Sequence, residues 1–569
     1  MSDSVHRSEV FAFASDVVDS MAKESALFAA DMGIAHEVNE LDDYSPEHDQ
    51  HVLERLSRDL RTADELVPTD DVDRLALEVL LERLSVTKML YDSGERRRTF
   101  TRIDSPVAHV RQAFELMEFE NASDAEKIRA RLSDVARSFS TWRTAVDAVA
   151  DRGELPAQRH VNAVADQALT HARGSYEEYV ERCCARVNID VDASGLRAAA
   201  QAAQVAAGEL GTWLREEIAP RATTQEASGP ERYERWLRAR AGVVLDLEET
   251  YLWGIEDLAR INARMRDVGE QIVPGASTLE EVREHLNADP ARRIEGTHAL
   301  LEKLLSFTAT TVEQLDGTHF DIDDRIKFCD ARLAPAGSSS AAYYEGPSED
   351  LSRPGTTWFP TMGETSFTWW DNASTWYHEA VPGHHLQVAT ATLAVDRQSR
   401  FHRLAAWQSG YGEGWALYAE RLMDELGYFT DPGDELGHLC GQALRAARVV
   451  VDIGLHLGFK VPEGFGPVGS FGDVAGLSWN PEMASAVLQE RALEGRVSAE
   501  SEVERYLGWP SQAITYKVGE RRWLEIRDEA RQRLGATYSN KAFHSYSLGL
   551  GCLGLDLFGT EMRAWDGRP

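Results

Sequence analysis

The stretch Trp376–Gln387 reads WYHEAVPGHHLQ. His378 followed by Glu379 opens a pattern in which an imidazole binds a divalent metal and the adjacent carboxylate accepts a proton from water. The next ligand would stand four residues on, and that position is Pro382. At about 100° per residue, a regular helix returns to one face at i+4 and i+7, which pairs His378 with His385 and turns His384 away. Pro382 removes an amide N–H and crowds the preceding turn, while Gly383 frees the backbone beside it. If Pro-Gly acts as a two-residue insertion, His384 takes the second place instead. The spacing leaves both arrangements open.

The surroundings favour a metal. Between Asn372 and Val395 the sole formally charged side chain is Glu379. A helix so poor in charge is a buried one, and a buried carboxylate needs a partner or a cation. Zinc takes imidazole nitrogen and carboxylate oxygen, and catalytic sites leave one position for water. The competing reading, a chance HExxP sequence on a surface helix, does not suit this charge depletion. A further ligand is offered by GYGEGWALYAERLMDEL, residues 410–426, where Glu413 and Glu420 are seven apart and share a helical face. The alternative there is a solvent-facing acidic stripe continued by Asp424. In RAARVVVDIGLH, residues 445–456, Arg448, Asp452 and His456 also share a face, and Arg448–Asp452 could be a plain intrahelical ion pair.

Most of the chain that must position these residues reads as helix. Apolar residues recur at three- and four-residue spacing over 52–90, with a break near Pro68, and again over 124–150, 157–186 and 193–217. The polar segment TTQEASGPERYE, 223–234, reads as a connection. The expectation is a mainly α protein with an N-terminal helical lobe, 1–222, and a catalytic helical lobe, 223–569. Two short strands are expected within 341–362, as a small β-sheet edge near the site. Asn372 is the expected N-cap of the motif helix.

The 569 residues are 43% hydrophobic and 27% charged, an ordinary globular composition, with a formal net charge of -34. That charge argues against binding nucleic acid or anionic membranes. No stretch is long and apolar enough for a membrane span, and the first residues lack the features of a secretory signal. Five scattered cysteines suggest neither a disulfide framework nor a cysteine metal site. The expected location is the cytoplasm of a bacterium. Nothing in the sequence fixes an oligomeric state.

HEAVPGHH followed by EGWALYAE resembles the bacterial domain-of-unknown-function 885 family, whose hallmark is HExxPGH and then EGWALY. RYERWLRARAGVVLDLEETYLWGIEDLARINARM (232–265), SRPG (352–355), TYKVGERRWLEIRDEAR (515–531) and FHSYSLGLGCLGLDL (543–557) match it too, so the resemblance spans most of 230–560. That family in turn is similar to the helical zinc peptidases related to thimet oligopeptidase and angiotensin-converting enzyme. The resemblance implies a two-lobed metallopeptidase-like fold with a deep cleft and one zinc ion held by His378, His384 and Glu413. Glu379 would be the base. Glu420 would hold a ligand histidine in its tautomer, and His385 would stand behind the ligands or face substrate. By the same analogy Tyr516 would donate to the oxyanion. Arg448 or Lys517 would receive a peptide's C-terminal carboxylate, and His544 belongs to a matching segment. The implied reaction is hydrolysis of short peptides. The rival readings are a metal-dependent amidase of a small non-peptide amide and an inactive, metal-stabilised binding or scaffold protein.

Overall fold

The segments with helical periodicity fold as helices, several of them begun by a side-chain cap. In the computed structural model, which describes residues 8–34, 40–117, 119–334 and 341–568, the chain is mainly helical. It divides into two compact units, one running to Glu226 and one from Ala227 onward. In the first unit the break near Pro68 separates helices Pro46–Glu65 and Asp71–Asp92, which Ser45 and Asp70 begin by accepting from the His48 and Asp73 amides. Helices Ala122–Asp151, Gln158–Thr170 and Leu196–Trp213 bury Val135, Phe139, Val146, Val164, Ala200 and Ala203 in a shared core. The segment 157–186 is not one helix. A wide turn at His171–Ser175, with Gly174 at φ 125, divides it.

The second unit contains every candidate site residue. Its relevant helices are α1 (Leu247–Ile272), α2 (Thr297–Leu315), α3 (Ala373–Glu379), α4 (His384–Leu393), α5 (Ser409–Glu425), α6 (Pro432–Leu457), α7 (Arg496–Gly508), α8 (Thr515–Leu534) and α9 (Asn540–Leu550). Helix α6 is buried along nearly its whole length, with Val449, Val450, Val451 and Ile453 in the core. Helices α5 and α8 cross where both are glycine. A Cβ on Gly414 would lie 2.6 Å from Gly519 Cα, and one on Gly519 would lie 2.1 Å from the Gly410 carbonyl oxygen. The two backbones therefore touch, which any larger residue would prevent.

The strands are short: β1 (Arg293–Glu295), β2 (Asp330–Leu333), β3 (Tyr343–Glu345), β4 (Thr356–Phe359) and β5 (Ser366–Thr368). Strands β3 and β4 pair antiparallel with Tyr344 opposite Thr357, β2 runs parallel to β4, and β1 pairs with β5. The two strands expected within 341–362 are β3 and β4. The others are too short to show alternation. Among the described residues no helix is long and apolar enough to cross a membrane.

Candidate metal centre

Helix α3 is anchored before it reaches its polar end. Trp376 Nε1 donates to the Leu304 carbonyl at 3.1 Å and to Thr308 Oγ1 at 2.8 Å, both on α2. The ring of Tyr377 packs on Phe307 at 4.8 Å. Asn372 precedes the helix but does not cap it with its side chain, which donates to the Thr368 carbonyl instead. His378 and Glu379 close the helix, both buried.

The motif is not one continuous helix. The chain leaves helical geometry at Ala380, passes a cis Val381–Pro382 bond and re-enters a helix at His384. Gly383 sits in the angle, where a Cβ would lie 1.9 Å from the His378 carbonyl oxygen, so a side chain cannot be accommodated. Its amide donates to the Tyr377 carbonyl at 3.0 Å. From α5, Trp415 Nε1 reaches the carbonyls of Pro382 at 3.0 Å and Gly383 at 3.2 Å, fixing the bend from outside.

The bend brings His384, rather than His385, against His378. The two rings stand perpendicular with centroids 4.8 Å apart. Glu413 Oε2 lies 3.3 Å from His378 Nε2 and 3.4 Å from His384 Nε2. Two ligands of a tetrahedral zinc at about 2.0–2.1 Å stand about 3.3–3.4 Å from each other. A charge-assisted N–H···O bond is closer, at about 2.7–2.9 Å. Both Glu413 spacings are compatible with the edges of such a shell and with long hydrogen bonds. One ligand atom from each of the three residues lies within 4.8 Å of the others.

The far side of His378 is equally determined. Its Nδ1 donates to Glu420 Oε1 at 2.7 Å, which turns Nε2 toward the cluster. Glu420 also accepts from Ser374 Oγ, and His438 Nδ1 stands 3.0 Å from that hydroxyl and 3.7 Å from Glu420 Oε2. His384 has no such orienting partner: its Nδ1 is buried without a hydrogen bond, and its ring leans on Trp407 at 6.0 Å.

The histidines and carboxylates of the cluster stabilise each other's charged forms. Burial would lower the His378 imidazole, but hydrogen bonds to Glu413 and Glu420 outweigh it and raise it to about 10. Burial would likewise raise the Glu413 and Glu420 carboxyls, yet their histidine partners hold both well below the usual carboxylate range. Burial pushes the Glu379 carboxyl up, against the attraction of His378 and His384. Two imidazoles and one carboxylate, backed by further carboxylates, fit a divalent ion such as zinc with a position left open.

Tyr516 on α8 stacks beside His378, centroids 6.4 Å apart and planes 21° apart, with the Arg448 guanidinium over its ring at 4.9 Å. Burial and then the Glu413 charge raise its phenol, so it keeps its proton and can donate.

The model of the family described as "Bacterial protein of unknown function (DUF885)" matches residues 27–562. The chain belongs to this family. No curated protein matches it. Solved structures share the fold of this DUF885 protein, two of them as follows. One, described as "the putative lipoprotein from Colwellia psychrerythraea", has 20% identity and a TM-score of 0.83 over 98% of each chain. The other, "a putative lipoprotein of unknown function from Shewanella oneidensis", has 16% identity and a TM-score of 0.73 over 98% of this chain and 100% of that one.

Several sequence expectations for this DUF885 protein need correction. His385 does not back the candidate ligands: Nε2 donates to the Ile326 carbonyl at 2.8 Å, and Nδ1 accepts from the Tyr344 hydroxyl at 3.0 Å. It ties α4 to β3. Arg448 does not pair with Asp452. Its Nε and Nη2 bond Glu502 on α7 at 2.9 and 2.8 Å, while Asp452 accepts from the Tyr233 hydroxyl at 2.6 Å and the Ser511 amide at 3.1 Å. Lys517 is 1% exposed, with its Nζ committed to Gln442, Glu520 and, at 3.3 Å, Asp257. Neither cation is free for a substrate carboxylate. His544 lies in an aromatic cluster, stacked on Phe320 at 4.8 Å and hydrogen-bonded to the Tyr418 hydroxyl at 2.9 Å, with burial lowering it to about 3.

Sequence reasoning missed Ser374, Trp407, Trp415 and His438. Trp415 was legible in principle, as a tryptophan two residues after Glu413 inside an uncharged run. Ser374 and His438 carried no signal, because their meeting depends on how α3 and α6 pack.

Proposed function

We propose that this protein is a zinc-dependent hydrolase of peptide bonds in short peptides. The observation that carries the reading is the position of Glu413 Oε2, 3.3 and 3.4 Å from the Nε2 atoms of two buried histidines. The motif resemblance to the helical zinc peptidases supports the same reading. Bound zinc would polarise the scissile carbonyl and make a water molecule a nucleophile near neutral pH.

The chain's own groups divide the remaining work. Glu379 takes the proton from the attacking water and delivers it to the departing amine. Its raised carboxyl suits this, because a base works best when its pKa is near the working pH. Tyr516, which keeps its proton beside the cluster, donates to the carbonyl oxygen as charge develops there. Glu420 holds His378 in the tautomer that directs Nε2 inward.

The test is metal analysis of the purified protein together with turnover of a short-peptide panel by the parent and by Glu379→Gln. We expect about one zinc per chain in both proteins, with turnover down about 10²- to 10⁴-fold in the variant. Absence of tight metal after zinc reconstitution would sink the reading. Cleavage of a non-peptide amide with no peptide cleaved would replace it with the amidase.

A further inference from the structure

Behind the cluster, helices α3, α5 and α6 each bring one polar side chain to the same place: Ser374, Glu420 and His438, all buried. Glu420 divides its two oxygens between partners. Oε1 takes the Nδ1 proton of His378, and Oε2 takes the hydroxyl proton of Ser374. Despite burial, the histidine partners hold the Glu420 carboxyl well below the usual carboxylate range, so it only accepts. A hydroxyl has a single proton to give, and that of Ser374 is spent on Glu420. In the contact of 3.0 Å between Ser374 Oγ and His438 Nδ1 the imidazole is therefore the donor. His438 Nδ1 is 3.7 Å from Glu420 Oε2, too far for a hydrogen bond, so the serine is the link.

The remote end of this chain is held in place too. A Cβ on Gly437 would lie 2.0 Å from the Trp370 carbonyl oxygen, so α6 presses on the backbone just ahead of α3, one residue before His438. The His438 ring stacks on Phe429 with centroids 4.8 Å and planes 21° apart. Phe429 in turn packs edge-on against Tyr377 at 5.5 Å, the residue before His378. The other candidate ligand is treated differently: His384 Nδ1 is buried without a hydrogen bond. The two histidines are thus held unequally, one by a directed series of hydrogen bonds across three helices and one by packing.

We infer that Ser374 and His438 are positioning residues of the metal centre: acting through Glu420, they fix the orientation in which His378 offers Nε2. The inference rests on the metal-dependent reading above and extends its centre outward to α6. With Ser374 in place, Glu420 Oε2 is committed and Oε1 is left to His378 alone. Without it the carboxylate is free to turn, and the imidazole loses a fixed acceptor. Polar groups that merely tied three helices together would, on removal, lower stability and leave metal affinity alone.

That contrast supplies the experiment. Zinc affinity, the visible spectrum of the cobalt(II)-loaded protein and urea unfolding of the metal-free protein are measured for the parent, Ser374→Ala, Ser374→Thr, His438→Phe and His438→Asn. Threonine keeps the hydroxyl, and asparagine keeps an N–H near the place of Nδ1. Phenylalanine keeps a ring on Phe429 but has no donor. Ser374→Ala and His438→Phe should bind zinc about 10-fold more weakly, the lower end of what outer-shell changes cost, and should shift the cobalt bands. Ser374→Thr and His438→Asn should stay within about threefold of the parent. Unchanged affinity in Ser374→Ala and His438→Phe, or an equal fall in the conservative pair, overturns the inference whatever the unfolding shows. A fall in Ser374→Ala with none in His438→Phe overturns the assignment of His438. A parent that takes up no zinc overturns the inference together with the hydrolase reading. The expected pattern in a protein that cleaves no short peptide upholds the inference and overturns the hydrolase reading alone.

Discussion

Glu420 Oε1 lies 2.7 Å from Nδ1 of His378. The carboxylate is almost completely buried, and it makes the ring present Nε2 to the cluster. Glu420→Gln removes the charge but keeps an acceptor, so the protein should fold and still bind zinc, about 10- to 100-fold more weakly. Competition with a chromophoric chelator measures this. An unchanged affinity would mean that the ring is held by packing alone.

The two adjacent histidines should separate cleanly. His384→Ala should abolish tight zinc binding, because it removes one of three converging atoms. His385→Ala should retain the metal and lose about 1–3 kcal/mol of stability, because the Ile326 carbonyl is left buried without its donor. Metal analysis and urea unfolding on both variants check this pair. Metal loss in His385→Ala with retention in His384→Ala would refute the ligand assignment.

Trp415 holds the bend between α3 and α4 through two carbonyls. Trp415→Phe keeps an aromatic ring but no N–H, so it should cost about 1–3 kcal/mol and also weaken zinc binding. Loss of stability with zinc affinity intact would show that the bend needs no such anchor.

Asp452 sets an expected pH dependence away from the metal. Burial raises its carboxyl from 3.8 to about 7, against hydrogen bonds from Tyr233 and Ser511. The folded protein therefore binds this proton more tightly than the unfolded chain does. Stability from this group is greatest below pH 3.8, falls as pH rises toward 7, and is flat above. Asp452→Asn removes the titration, so its unfolding midpoint should vary less than that of the parent between pH 5 and 8. Identical profiles for the two proteins would exclude Asp452 as the source.

Elements with strong periodicity, such as those flanking Pro68, were readable from sequence because capping and burial are local. So was the shared face of Glu413 and Glu420, which depends on one regular helix. The bend at residues 380–383 was not, because spacing cannot tell a bulged helix from two helices. Trp415, which stabilises the bend, lies on another element. Arg448 and Lys517 misled for a related reason. Both are helical cations beside the site, but their partners Glu502 and Asp257 come from distant segments.

The glycine crossing of α5 and α8 has a consequence for motion. Gly414 follows Glu413 by one residue, and Gly519 follows Tyr516 by three. With backbones in contact at that point, neither helix can slide or roll without dragging the other. Backbone contact at this crossing thus fixes the spacing of the Glu413 carboxylate and the Tyr516 phenol. On the proposed function, any closure around a substrate would be supplied by segments other than this pair, and the distance between Glu413 and Tyr516 would be set before substrate arrives.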